Sequence, residues 1–416
     1  MIYIIYFISS LVALILLRAL VMSTLSLSHD QDIDEGSEFD STFSPKLTVL
    51  VPAYNEEAVI EDCLNCMNQL VYKSDQLEVI ILNDRSTDGT KALIDDFLKS
   101  NPNSHITARH RPMESKPGKA EAMKEVIATL KSEIIVIFDA DYLPQPDLIQ
   151  RLINPFKDPA VGATMGRVVT YNCNANIMTK LIDLERRSGY TIDQNLRNHF
   201  DLLPQFGGTT GGIRLSALED AGGWDTKILT EDTDLTYKLY LKGYKIKYLN
   251  AAACFEETPE TWQARYKQVR RWAYGHNDCL IKYFIPTLMH KDKNLLRKLD
   301  ALLLLTVYAA PAALLVLSIV AFLFGHTSIN IVASFLPLLL VFCGIGNFSP
   351  FFQMFAACIK DKQPHCTRYI PYIFVSSTIS ILASTHALLL LPIERLGLKK
   401  SLSWDKTLRY RKKVVT

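Results

Sequence analysis

Leu47-Thr48-Val49-Leu50-Val51-Pro52-Ala53-Tyr54-Asn55-Glu56-Glu57 is a short apolar run that stops at a proline and opens into a polar turn. A run of this length and composition reads as a strand buried on both faces. The pattern recurs: Leu77 to Leu82 runs into Asn83-Asp84-Arg85-Ser86-Thr87-Asp88-Gly89-Thr90, and Ile134 to Phe138 runs into Asp139-Ala140-Asp141. Between them the sequence predicts helices at Ala58 to Asn68, Lys91 to Ser100 and Lys119 to Lys131, and a third strand near His105 to His110. Strand, polar turn and helix in repetition predict an α/β domain with a mostly parallel sheet covered on both faces. Ligands of such sheets collect at the C-terminal strand ends. Tyr54, Asn55 and Glu56, then Asp84 and Asp88, then Asp139 and Asp141 all stand there. So many carboxylates on one edge repel each other unless a divalent cation or a cationic ligand sits among them.

Asp139-Ala140-Asp141 is the sharpest of these signals. Two carboxylates spaced D-x-D past a buried strand can hold Mg²⁺ or Mn²⁺ with room for phosphate oxygens. Taken alone, an Asp-rich turn before Pro144 is the plainer reading. Lys116-Pro117-Gly118-Lys119 is equally two-sided, a phosphate contact at a helix start or a solvated lysine, and it lacks the spacing of a Walker loop. Phe206 to Gly212 contains four glycines and admits a ligand close to the backbone, or simply turns. Thr230-Glu231-Asp232 opens a helix over Leu235 to Lys242 with Thr230 at the N-cap; acids are ordinary in a first turn, and Asp232 is also free to act as a base. A strand follows at Tyr244 to Leu249, then a basic, aromatic, amphipathic helix or helix pair from Pro259 to Phe284 that carries Gln268-Val269-Arg270-Arg271-Trp272. A guanidinium beside an indole suits an anion and a sugar ring, and equally a lipid interface.

The rest of the chain is written for a bilayer. Ile2 to Leu27 is long enough to cross one, and with no basic n-region it reads as an uncleaved anchor at 1–27. An acidic linker (28–45) leads to the globular α/β domain (46–258), interfacial helices (259–298), about three spans (299–392) and a basic tail (393–416). The three spans are Leu299 to Gly325, Ser328 to Phe348 and Tyr369 to Leu391, with Pro350 to Ile359 too short to cross. Basic loops place the domain on the cytoplasmic side, and the tail's lysines and arginines belong there too. Three crossings put the tail outside, so either the Pro350 region re-enters or one segment does not span. Net charge is only +2, which gives no support to a nucleic-acid partner. Eight scattered cysteines read as reduced thiols, and Cys63-Leu64-Asn65-Cys66 as structural for want of a second ligand pair.

In order, Val51 to Glu57, Asn83 to Thr90, the K-x-GKA ending at Ala120, Asp139 to Asp141, Thr230 to Asp232 and Gln268 to Trp272 resemble the motifs of the membrane-bound family-2 glycosyltransferases, the group of cellulose, hyaluronan and poly-N-acetylglucosamine synthases. The resemblance covers about 230 residues, and an ordered set is far more specific than any member. It implies a GT-A-like nucleotide-sugar-binding domain with transmembrane helices in the inner or plasma membrane, and Mg²⁺ or Mn²⁺ as cofactor. It implies that Tyr54, Glu56, Asp84, Lys119 and Asp139 hold a UDP-sugar, with Asp139 and Asp141 on the metal. Asp232 would be the general base, and Glu231, Gln268, Arg271 and Trp272 would serve acceptor and diphosphate. One base without an opposing carboxylate nucleophile implies inversion, from an α-linked donor to a β-linked polysaccharide. A single-addition glycolipid synthase is the alternative, and a non-catalytic membrane scaffold the remote one. Further partners are a polysaccharide or lipid acceptor, membrane lipid and accessory export proteins. The chain departs from the cellulose-synthase pattern in having one helix before the domain where several relatives have two or more, and no appended cyclic-nucleotide-sensing domain.

Overall fold

The computed structural model describes residues 2–28, 40, 42–324, 348–397 and 409–410. The linker at 28–45, the run Ser328 to Phe348 and the tail fall largely outside them. Helix α1 (Ile2–Ser28) precedes the domain. The strands are β1 (Leu47–Ala53), β2 (Leu77–Asn83), β3 (Ile106–His110), β4 (Ile134–Ile137), β5 (Leu143–Pro144), β6 (Val161–Thr170), β7 (Gly211–Arg214) and β8 (Lys245–Glu256). The helices of the domain are α2 (Ile60–Asn68), α3 (Thr90–Ser100), α4 (Lys119–Ile127), α5 (Leu148–Ile153), α6 (Ile177–Arg187), α7 (Asn195–His199), α8 (Leu215–Asp220) and α9 (Glu231–Leu241). Helix α10 (Trp262–Met289) leads to α11 (Leu295–Thr306), α12 (Ala309–Phe324), α13 (348–360) and α14 (Ile373–Arg395).

The strands form one sheet in the order β3-β2-β1-β4-β7-β6-β8-β5. β3, β2, β1 and β4 are parallel, β7 runs against both its neighbours, and β6 and β8 are again parallel. The expected parallel sheet is therefore present, mixed at β7 and β5. The reading of Leu47, Ile81 and Val136 as apolar on both sides holds because two buried layers flank the sheet, one built on α2 and α5, the other on α4, α8 and α9. By the usual area rule each such buried side chain contributes about 1.5–3 kcal/mol.

Three local readings change. The glycine segment contains strand β7, since Gly211 and Gly212 lie where a Cβ would stand 2.5 Å from the Thr164 carbonyl oxygen and 2.8 Å from Phe156. Thr230 occupies the N-cap of α9 but its hydroxyl caps nothing; it lies 3.8 Å from Cys279 Sγ. The apolar run from Leu299 breaks at Val307 and Tyr308, where α11 and α12 meet at 52°. By length and composition, two described helical segments can cross a membrane, Tyr3–Ser28 and Pro364–Arg395, and the bent pair makes a third. All described cysteines are free thiols.

Candidate active site

The loops after β1 and β2 are tied to each other. Asn55 and Arg85 take left-handed backbone (φ 54° and 61°), turning each loop sharply off its strand. Asn55 N–H donates to Ser86 Oγ (2.9 Å), Thr87 N–H to Asn55 Oδ1 (2.7 Å) and Glu56 N–H to Thr90 Oγ1 (2.7 Å). These bonds hold Tyr54, half-buried, and Glu56, buried, at the strand ends. Asp84 is fully engaged: Oδ1 takes Arg111 and Arg85 (3.1 Å), and Oδ2 accepts Gly118 N–H (2.9 Å). Its position fixes the turn that starts α4, so the next residue, Lys119, is aimed across the edge.

Lys119 Nζ lies 2.6 Å from Asp139 Oδ1 and 3.2 Å from the Gly208 carbonyl oxygen. Burial pulls this ammonium down, yet Asp139, Glu231 and Asp232 outweigh it and its pKa is raised, so it stays charged. Gly208 needs its left-handed φ of 74°, and a Cβ there would stand 3.2 Å from that of Asp232. Glycine thus lets the β7 approach pack directly on the first turn of α9. Half-buried Asp232 accepts Thr233 N–H at 2.7 Å. Its carboxyl is pushed up to about 7, first by burial and then by Glu231, against Thr233 N–H, Lys119 and Arg271.

Asp141 is buried and accepts from Arg409 Nη2 (2.8 Å) and Glu257 N–H (3.4 Å). Burial pushes it up to about 7; Arg409 opposes that, while Asp139, Glu56 and Glu256 add to it. Arg409 Nε stands 3.6 Å from Glu56 Oε2, and Tyr410 N–H donates to Glu257 Oε1. Two residues of the basic tail, Arg409 and Tyr410, therefore stand at the acidic edge.

Trp272, one turn into α10 beyond Gln268, is covered by two guanidiniums, Arg186 at 5.4 Å and Arg265 at 5.5 Å from its ring centre. Arg186 pairs with Glu256 (2.6 Å), which also accepts the Tyr142 hydroxyl (2.7 Å). Arg265 donates to Gln268 Oε1 at 2.8 Å and pairs with Glu185. The indole is thus rigidly held beside the carboxylate group rather than lying free at a surface.

The expected residues fall into linked groups: Lys119, Asp139, Glu231, Asp232 and Arg271 around Gly208; Glu56 and Asp141 around Arg409; Gln268 and Trp272 around Arg265. Asp84 stands behind them as a brace. Sequence reading missed Arg111, Arg186, Glu256, Glu257, Arg265 and Arg409. Glu256-Glu257 at a strand end was the one legible signal; the arginines meet their partners only in the fold. No group of three or more His, Cys, Asp or Glu is arranged to hold a metal among the described residues. Asp139 and Asp141 are each paired with a side-chain cation, Lys119 and Arg409; carboxylates are the donors a hard cation takes, and Mg²⁺ commonly takes only one or two from the protein.

Residues 45–275 match the family model described as glycosyltransferase like family 2. The chain is 33% identical over 253 residues to the probable glycosyltransferase YdaM of Bacillus subtilis (strain 168), covering 61% of this chain and 60% of that one. It is 32% identical over 246 residues to poly-beta-1,6-N-acetyl-D-glucosamine synthase of Staphylococcus aureus (strain COL), covering 59% and 58%. The match thus spans about three fifths of each relative. Among solved structures it resembles the mannosyltransferase PcManGT from Pyrobaculum calidifontis, in complex with GDP-Man and Mn²⁺, at 22% identity and a TM-score of 0.57, over 86% of this chain and 98% of that one. With its GT-A fold and its kinship to polysaccharide synthases, the chain belongs to glycosyltransferase family 2.

Proposed function

We propose that the protein is an inverting transferase that moves a sugar from a UDP-sugar to a growing β-linked polysaccharide at the cytoplasmic face of the membrane. The observation that carries this is Asp232, a half-buried carboxyl pushed up to about 7 beside a lysine-carboxylate pair. A base of that strength is ionised in useful amount near neutrality and still takes a proton well. Asp232 removes the proton of the acceptor hydroxyl as that oxygen attacks the anomeric carbon; the bond to the diphosphate breaks on the opposite face, giving inversion. Lys119 and Arg271 face the charge that develops on the leaving group. Tyr54 and Glu56 take the nucleoside end, braced by Asp84. Glu231 sharpens Asp232 by its charge, and Gln268 and Trp272 hold the acceptor sugar in register. Asp139 and Asp141 would hold Mg²⁺ or Mn²⁺ with the diphosphate, supplying further positive charge at the leaving oxygen.

The test is a panel of UDP-sugars given to the purified protein in lipid with Mg²⁺ or Mn²⁺, with the product analysed for linkage and length. A β-linked ladder supports the proposal. A single glycolipid band assigns the same site to one addition, and no transfer from any UDP-sugar overturns the reading.

A further inference from the structure

The segment Pro364–Arg395, which ends in α14, has the length and mean hydropathy (1.8) of a membrane span. Its neighbours contradict that role. Ser376, near its start, donates to Glu185, the same carboxylate that pairs with Arg265 of α10. The Tyr266 hydroxyl lies 2.8 Å from His386 Nδ1, and Arg395 pairs with Asp278 at 2.5 Å. From His386 to Arg395, a rise of about 14 Å at 1.5 Å per residue, α14 therefore runs alongside α10 in the same direction.

Helix α10 cannot lie in hydrocarbon. It carries Arg265, Lys267, Arg270, Arg271, Asp278 and Lys282, and its far half is tied to the catalytic domain by Lys282, 2.7 Å from Asp234 and 3.0 Å from Asp225. The segment entering α14 is tied to the domain as well: Asp361 accepts Arg187 (2.8 Å) and Thr191 (3.0 Å) and pairs with Arg167. The start of α14 thus rests on the catalytic domain through Glu185 and its end on α10, itself tied to that domain, through Asp278, and a helix crossing about 30 Å of hydrocarbon would leave one end on the other side.

Along α14, Val375, Leu382 and Leu389 are 50%, 52% and 50% exposed and recur every seven residues, while Ser376, Ala383, Ala387 and Leu391 are buried. One stripe faces the protein and one apolar stripe faces outward. We infer that α14 lies in the boundary between head groups and acyl chains of the leaflet next to the catalytic domain, and that the chain after it stays on the catalytic side. The contacts of Arg409 with Asp141 and of Tyr410 with Glu257 support this independently, since a tail on the far side could not reach the site. The conflict between a basic tail and three crossings is resolved by one apolar segment that does not cross.

The inference rests on the reading of the chain as a membrane protein, and its test does not depend on transfer. Spin labels at Val375→Cys, Leu382→Cys and Leu389→Cys, each corrected for the unsubstituted protein, are read for immersion depth in phosphatidylcholine and phosphatidylglycerol vesicles. Equal, shallow depths at the three exposed positions are expected. A depth that advances by about 10 Å from one label to the next, at 1.5 Å per residue, is the signature of a span and overturns the inference. A chain that does not partition into the vesicles overturns the membrane reading with it. A protease site placed after Thr416 is expected to be cut from the same side of sealed vesicles as one placed in the linker before Leu47; cutting from opposite sides overturns the placement of the tail.

Discussion

If Asp232 is the base, the pH profile of transfer reports its environment, and two charge changes must move that profile in opposite directions. At a pKa of about 7 the ionised fraction rises from roughly 0.1 at pH 6 to roughly 0.9 at pH 8, so kcat gains close to tenfold over this interval. Burial and Glu231 raise Asp232, whereas Lys119 and Arg271 lower it. Glu231→Gln removes a raising charge, so the acid limb moves to lower pH and the ratio of rates at pH 6 and pH 8 climbs severalfold. Lys119→Met removes a lowering charge, so the limb moves to higher pH and the ratio falls. The assay is the initial rate of UDP release at saturating donor and acceptor from pH 5 to pH 9. Each variant is normalised to its own plateau, which separates the shift from any loss in absolute rate. Limbs that stay fixed in both variants, or that move in the same direction, refute the assignment of the limb to Asp232.

Other consequences are equally direct. Gly208→Ala forces a side chain into left-handed backbone 3.2 Å from the Asp232 Cβ, at about 1–2 kcal/mol; kcat is expected to fall by at least tenfold while UDP affinity, read by calorimetry, changes little. Asp84→Asn removes one of the two carboxylates on buried Arg111, Glu125 being the other, and a hydrogen bond to a charged group is worth about 1.5–3 kcal/mol, seen as a lower Tm. Trp272→Ala removes the surface held by Arg186 and Arg265; UDP binding survives, and products shorten when run on a sizing gel. Chelation with EDTA is expected to stop transfer and added Mg²⁺ or Mn²⁺ to restore it, whereas full activity in EDTA would remove the metal role of Asp139 and Asp141.

What the sequence disclosed and what it withheld divide along physical lines. β1, β2 and β4 are buried on both faces, so their apolar runs are continuous, and the charged residues that end them can only face the sheet edge. That is why Glu56, Asp84, Asp139 and Asp141 were legible. β7 was not, because Gly211 and Gly212 are set by the atoms of Thr164 and Phe156 that replace their side chains, and no local pattern records a neighbour's position. Arg186 and Glu256, or Asp141 and Arg409, are joined only by the fold, and a basic tail reads the same whether it is solvated or seated in an acidic pocket. The apolar run of α14 is likewise silent on its companion: hydropathy reports that it leaves water, and only the charges of α10 beside it decide against a crossing.

The central claim is that Asp232 takes the acceptor's proton while other residues hold the donor. Asp232→Asn keeps the shape and removes the base. The decisive measurement pairs UDP binding by calorimetry with transfer from the preferred UDP-sugar in the same preparation. Binding within about twofold of the unsubstituted protein, with transfer reduced by about 10²–10⁴, is the predicted result. Normal turnover by the Asp232→Asn protein would contradict it.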